Sequence, residues 1–343
     1  MIAFRADINK EIASGHIMRS IAIAKKVREK GEEVLFISGD DYCSNFLNPC
    51  GFDYVTTNSP ADSFDDELPL MKSLVDKYDI KCLFVDSYVV SAHYLCEMNK
   101  ICKVAFIDDY LKEKLDISLL LAPTQSRSLD FVSDMYKDTD TVLLLGKDYL
   151  IIRDEFLSKE PLPASQTENF LITTGGTDKY SFTLKLMRRI ISEPLLFTKH
   201  YFIILGALNG DEDAIRSLAF EHKDTFSVLK NISNMGFYMK QSAYAVSAGG
   251  NTVYELLCCK VPLSVIALSD DQEALGKRLS EKHILSYEGD CRNDVDEVTE
   301  NCIRTLLSVA TNGIKHDTKK AVENFTDGLG ASRIADALIN LCK

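Results

Sequence analysis

Long apolar runs are missing: no stretch of the chain approaches the ~20 consecutive apolar residues that a membrane-spanning helix needs. The opening, Met1-Ile2-Ala3-Phe4-Arg5-Ala6-Asp7, also lacks the basic start and apolar core of a signal peptide. A cytoplasmic protein without a membrane span is therefore expected. Basic clusters are missing too. Thirty-nine Lys and Arg stand against 51 Asp and Glu, for a net charge of −12. That field repels a polyphosphate backbone, so nucleic acid is not expected as a partner. Any phosphate must be held locally, by backbone amides and helix ends. The ten cysteines contain no Cys-x-x-Cys pair, so they read as reduced thiols packed as small hydrophobes, and no metal site is expected. Neither the Walker spacing nor Gly-x-Gly-x-x-Gly follows a strand, and Gly-x-Ser-x-Gly and His-Glu-x-x-His are absent. These absences argue against a P-loop enzyme, an ordinary dinucleotide oxidoreductase, a serine hydrolase and a zinc peptidase.

What is present is a soluble globular composition, 46% apolar and 26% charged over 343 residues, long enough for two domains. β-branched and aromatic runs predict strands at 2–5, 33–38, 82–86, 104–107, 118–121 and 141–145. A second set is predicted at 170–174, 201–205, 226–228, 243–247, 263–266 and 284–287. Amphipathic segments lie between them. Ile17, Ile21, Ala24 and Val27 form one helical stripe, ended by Gly31. The alternation predicts parallel sheets covered by helices. The polar, proline-containing stretch Glu160-Pro161-Leu162-Pro163 suggests domains at 1–160 and 161–343. These would be two Rossmann-like doubly wound α/β halves facing a cleft, with helices from Asp294 onward.

Such sheets bind ligands beyond the carboxyl ends of their strands. After the first strand, Gly15-His16-Ile17-Met18-Arg19 opens a helix, and His16 and Arg19 share one flank at i, i+3. A histidine there suits a neutral base, or equally a capping residue. Asp86-Ser87-Tyr88 and Asp108-Asp109-Tyr110 follow two further strands, as caps or as sugar ligands. Gly175-Gly176-Thr177-Asp178 and Ser247-Ala248-Gly249-Gly250-Asn251-Thr252 are strand–glycine–helix junctions, the second carrying Glu255 one turn on. Two of them favour a nucleoside diphosphate, its phosphates at the helix starts and its ribose at Glu255.

In this order, Phe4-Arg5-Ala6-Asp7, Gly15-His16-Ile17-Met18-Arg19, Val85-Asp86-Ser87-Tyr88 and Ile107-Asp108-Asp109 resemble the nucleotide-sugar hydrolases of pseudaminic acid biosynthesis. So do Tyr149 through Arg153-Asp154-Glu155-Phe156, both glycine junctions, and Asp327-Gly328-x-Gly330-x-x-Arg333. That family hydrolyses UDP-2,4-diacetamido-2,4,6-trideoxy-β-L-altrose and is similar to the GT-B glycosyltransferases, particularly the one that builds peptidoglycan lipid intermediates. The resemblance implies a metal-independent enzyme without a cofactor, with the nucleotide held mainly by the C-terminal domain and a last helix crossing back to the N-terminal one. It implies His16 as the base that activates water and Tyr88 as a second catalytic residue, with Tyr88 and the nearby acids Asp86 and Asp109 shaping the sugar and water site. Gly249, Gly250, Asn251 and Thr252 would hold the diphosphate and Glu255 the ribose, while Asp7, Gly15, Arg19, Gly175, Gly176, Thr177 and Ser247 are further substrate-binding candidates, with Gln272 near the ribose or phosphates. Two positions depart from the pattern: Asp270-Asp271-Gln272 stands for an Asp-Asn-Gln-like element, and Ser20 for a cysteine. A glycosyltransferase of the same fold and a non-catalytic nucleotide-sugar-binding module are the alternatives. Oligomeric state has no signature in the sequence.

Overall fold

Apolar runs without polar alternation, such as Cys82-Leu83-Phe84-Val85, are buried on both faces, and strands of that kind form parallel sheets under helices. The computed structural model describes all residues except 7, 9–14, 60–62, 124–127, 158–168 and 233. The chain divides into two compact units, Met1–Arg153 with Asp327–Lys343, and Asp154–Thr326.

The first unit carries β1 (Ile2–Ala6), β2 (Val34–Ser38), β3 (Asp53–Thr56), β4 (Cys82–Asp86), β5 (Lys103–Ile107), β6 (Leu119–Ala122) and β7 (Val142–Leu145). They pair in parallel in the order β3-β2-β1-β4-β5-β6-β7. Helices α1 (Gly15–Glu29), α2 (Ser44–Leu47), α3 (Leu68–Tyr78), α4 (Ala92–Asn99) and α5 (Leu129–Tyr136) connect them. Side chains alternate across the sheet. Phe4, Phe36 and Phe84 join one core with Ile17 and Ile21 of α1, while Leu35, Leu83 and Val85 join the other with Met71 and Leu95.

The second unit carries β8 (Asn169–Thr173), β9 (Tyr201–Leu205), β10 (Phe226–Lys230), β11 (Ser242–Ala248), β12 (Leu263–Ala267) and β13 (Ser286–Asp290). Their order is β10-β9-β8-β11-β12-β13, again parallel. Its helices are α6 (Phe182–Ile191), α7 (Pro194–Phe197), α8 (Glu212–Glu221), α9 (Met235–Lys240), α10 (Asn251–Cys258), α11 (Asp270–Glu281), α12 (Cys291–Asn312) and α13 (His316–Glu323). The expected strands are all present; β3 is additional, and β13 begins two residues later than expected. Among the described residues no helix is long and apolar enough to cross a membrane, and all ten thiols are free.

The expected boundary after residue 160 falls outside the described residues. The last helix, α14 (Gly330–Leu341), departs from the 161–343 assignment, because it packs in the first unit. Its Ile334, Ala335 and Leu338 are fully buried in the same core as Ile21 and Val27 of α1. Lys30 pairs with Asp336 at 2.8 Å, and Arg333 donates to the Asp148 carbonyl at 3.0 Å. Gly330 sits against the Tyr149–Leu150 backbone, where a Cβ would overlap the Leu150 carbonyl oxygen. Gly330→Ala should therefore destabilise the protein by ~1–3 kcal/mol, read as a lower denaturant midpoint and faster proteolysis of the C-terminal segment.

Candidate functional site

In a doubly wound sheet the strand order reverses at one place, and the loops on either side diverge to leave room for a ligand. In the first unit that place lies between β1 and β4, which pair from Ile2–Cys82 to Ala6–Asp86. Asp86 ends β4 and His16 opens α1, so the two face each other across the reversal. His16 Nδ1 lies 2.5 Å from Asp86 Oδ1. An ionised carboxylate only accepts, so Nδ1 carries a hydrogen, and in the neutral ring the lone pair is then on Nε2. The 3.3 Å approach of Arg19 Nη2 to Nδ1 is then a contact between two donors rather than a hydrogen bond.

Asp86 is fully buried and is held by three donors. Besides His16, Arg19 Nε reaches Oδ2 at 2.5 Å and Arg19 Nη2 reaches Oδ1 at 2.6 Å, a bidentate fork. Burial pushes the Asp86 carboxyl up, but the Arg19 charge and the Arg19 and His16 hydrogen bonds outweigh it, so its pKa falls below the usual carboxylate value. Arg19 is the converse: burial opposes its charge, yet Asp86 and Asp109 raise its pKa. Arg19 Nη1 also donates to Asp109 Oδ2 at 2.8 Å. Tyr88 donates to the same oxygen at 3.2 Å, and desolvation, then Asp109, pushes its hydroxyl up to about 12. It is a neutral donor at ordinary pH. The His16 ring packs edge-on to Tyr88 with centroids 4.4 Å apart.

Thus His16, Arg19, Asp86, Tyr88 and Asp109 form one network, with Gly15 at the exposed helix start. Asp7 lies outside the described residues. Tyr110, noted in the sequence only as the residue after Asp109, packs edge-on to Tyr88 with ring centroids 5.3 Å apart. Its signal was its place beside Asp109 at a strand end. Neighbouring Asp108 is a turn residue, its Oδ1 accepting the Tyr110 and Leu111 amides.

The second unit reverses between β8 and β11, and those are the two strands that run into glycine pairs. Gly175 has φ +77°, a left-handed conformation that suits glycine, and no atom stands within 4 Å of where a Cβ would lie at Gly175, Gly176 or Gly250. Gly249 is different: a Cβ there would strike the Gln272 backbone. Gly250, at the start of α10, has no side chain to cap it, and the first-turn amides of Asn251 and Thr252 have no intrahelical acceptor. Asn251 is exposed, and Thr177, Thr252 and Glu255 are half-buried.

Two of the expected ligands also make hydrogen bonds to the backbone of their own loops. Ser247 is buried and donates to the Ala248 carbonyl at 3.0 Å, and Gln272 Oε1 accepts the Leu268 N–H at 2.9 Å. Asp178 caps α6 through the Phe182 and Thr183 amides. Gly206, unread in the sequence, lets the end of β9 approach the Gly175 carbonyl, where a Cβ would overlap it. Among the described residues no group of three His, Cys, Asp or Glu is placed to hold a metal ion.

No protein-family model matches the chain. Over 299 residues it is 24% identical to the uncharacterised protein MJ1062 of Methanocaldococcus jannaschii, a match covering 82% of this chain and 60% of that one. Over 155 residues it is 26% identical to the spore coat polysaccharide biosynthesis protein SpsG of Bacillus subtilis, covering 45% of each. The chain thus spans less than two thirds of the length of these two relatives. It is 22% identical to the UDP-2,4-diacetamido-2,4,6-trideoxy-β-L-altropyranose hydrolase of Campylobacter jejuni, over 82% of this chain and 96% of that protein. Among solved structures, a glycosyltransferase from Rickettsia africae superposes with a TM-score of 0.65 at 11% identity, covering 100% of this chain and 99% of that one. MurG of Acinetobacter baumannii gives 0.64 at 12% identity, covering 98% and 99%. The chain is thus similar in sequence, at 22% identity, to the UDP-2,4-diacetamido-2,4,6-trideoxy-β-L-altropyranose hydrolase of Campylobacter jejuni, and it has the fold of the GT-B glycosyltransferases.

Proposed function

We propose that the chain is a nucleotide-sugar enzyme that hydrolyses UDP-2,4-diacetamido-2,4,6-trideoxy-β-L-altrose to UDP and the free sugar. The observation that carries this reading is the 2.5 Å contact between His16 and Asp86. It fixes the tautomer with Nε2 free to accept a proton, and it stabilises the imidazolium that forms when Nε2 takes one. In the proposed step, water attacks the anomeric carbon, Nε2 accepts its proton, and the bond from that carbon to the diphosphate oxygen breaks. The bonding pair leaves with UDP. Attack opposite the leaving group inverts the anomeric configuration.

The leaving diphosphate carries the developing charge. Backbone amides and the α10 dipole stabilise such charge without reorganising, and Gly175-Gly176 and Gly250-Asn251-Thr252 are the groups we assign to it. Glu255 is assigned to the ribose diol. Uridine diphosphate leaves readily, so the proposal needs no carboxylic acid to protonate it, unlike the paired carboxylates of most glycosidases. Arg19, Asp109 and Tyr88 are assigned to the sugar and the water, with Tyr88 as a neutral hydrogen-bond donor.

Incubating the protein with the UDP-sugar in EDTA, with no acceptor added, tests this directly. UDP should accumulate at the same rate with and without chelator, alongside the free sugar. UDP release that requires an added alcohol, with the sugar recovered on it, would instead mark a glycosyltransferase.

A further inference from the structure

The turn that follows β9 holds a buried donor with no acceptor among the described residues. Asn209 is 8% exposed, and its Oδ1 accepts the Asp211 N–H at 2.9 Å. Only the amide oxygen can take that hydrogen, so the orientation of the side chain is fixed. Nδ2 is then left with two hydrogens, and among the described residues nothing accepts them. Folded proteins keep few such groups, because an unmade buried hydrogen bond is destabilising. Glu212, the first acid of α8, is already engaged by Arg216 and Lys230.

The position of this turn gives the orphan donor a use. Leu208 N–H donates to the Gly176 carbonyl at 3.1 Å, and Asn209 N–H to the Gly206 carbonyl at 3.3 Å. The turn therefore rests on the Gly175-Gly176 loop at the strand reversal, and the absence of a Cβ at Gly206 permits that contact. We propose that Asn209 Nδ2 donates to a phosphate oxygen of the bound nucleoside diphosphate, completing the β8 side of its cradle. This rests on the nucleotide reading above and adds a residue that no glycine motif reveals.

The test is calorimetric titration of UDP, and of uridine as the phosphate-free probe, into the full chain and two variants. Asn209→Asp keeps the acceptor for Asp211 N–H but replaces the donor with a negative charge, and Asn209→Ala removes both. UDP affinity should fall ~10-fold in Asn209→Ala and ~100-fold or more in Asn209→Asp, with uridine affinity unchanged in both as the sign that the fold is intact. Asn209→Asp binding UDP like the wild type would overturn the proposal, leaving the amide to a buried water. Equal losses for UDP and uridine would overturn it too, by moving the acceptor to the nucleoside. Wild-type protein that fails to bind UDP would instead refute the nucleotide reading itself.

Discussion

Asparagine in place of His16 should lower the rate of UDP release by ~10³-fold or more while leaving UDP affinity within about twofold. A positioned general base contributes roughly 10²–10⁴-fold, and the other group that Asp86 orients, Arg19, is a cation that cannot accept a proton. The substitution keeps a polar side chain on α1 that can still donate to Asp86, so the fold and the Arg19–Asp86 fork should survive. Unchanged UDP affinity is the informative half of the result, because the groups assigned to the nucleotide all belong to the second unit. A loss of affinity matching the loss of rate would make His16 a ligand rather than a base.

Asp86→Asn should have the second largest effect, and on two readouts. Rate should fall ~10²–10⁴-fold, because an amide no longer favours the Nδ1–H tautomer or stabilises the imidazolium. Stability should fall by ~2–3 kcal/mol near neutral pH, because Arg19, whose side chain is 16% exposed, loses one of its two carboxylate partners and keeps Asp109. The pH dependence has a definite sign. The Asp86 carboxyl has a lower pKa in the folded protein than in the unfolded chain. Its stabilisation is therefore complete above the ordinary carboxylate value of ~3.9 and is lost as pH falls toward the lower folded value. The stability gap between wild type and Asp86→Asn, measured by urea titration, should shrink as pH falls below about 4. A gap that widens in that acid range would contradict the pairing.

The fold was largely legible because buried parallel strands are written as uninterrupted apolar runs, and Phe4, Phe84, Ile172 and Val265 each sit in one. β3 escaped because Asp53-Tyr54-Val55-Thr56 is a short edge strand with one exposed and three half-buried residues, which leaves no periodic signal. β13 was misplaced because Ile284-Leu285 is the apolar pair, whereas the ladder is made by Ser286-Tyr287-Glu288-Gly289-Asp290. For α14 the resemblance implies a crossing back to the N-terminal domain, which the first unit contains, but the helix's own residues do not name its partner. Its Ile334 and Leu338 stripe shows that it packs on something, but not that the something is α1, about three hundred positions away.

At the candidate site, residue types were readable and partnerships were not. His16 with Arg19 follows from helical spacing, and Asp86 from its place at a strand end. Their union depends on β1 pairing with β4 rather than with a strand nearer in sequence, which is a property of the whole sheet. Ser247 and Gln272 show the opposite limit. Both are polar residues within glycine-rich or helix-opening motifs, yet their side chains satisfy backbone groups of their own loops, a competition that local sequence does not resolve. Asn209 lay outside every motif, since only the accounting of buried donors brings it out.

The most direct test of the account is hydrolysis of the UDP-sugar in H₂¹⁸O, followed by proton and phosphorus NMR during the first turnovers. Cleavage of the carbon–oxygen bond by activated water predicts the label on the anomeric carbon of the sugar, none in UDP, and a first-formed sugar of inverted configuration. Label in the β-phosphate of UDP, or a first product of retained configuration, would contradict it.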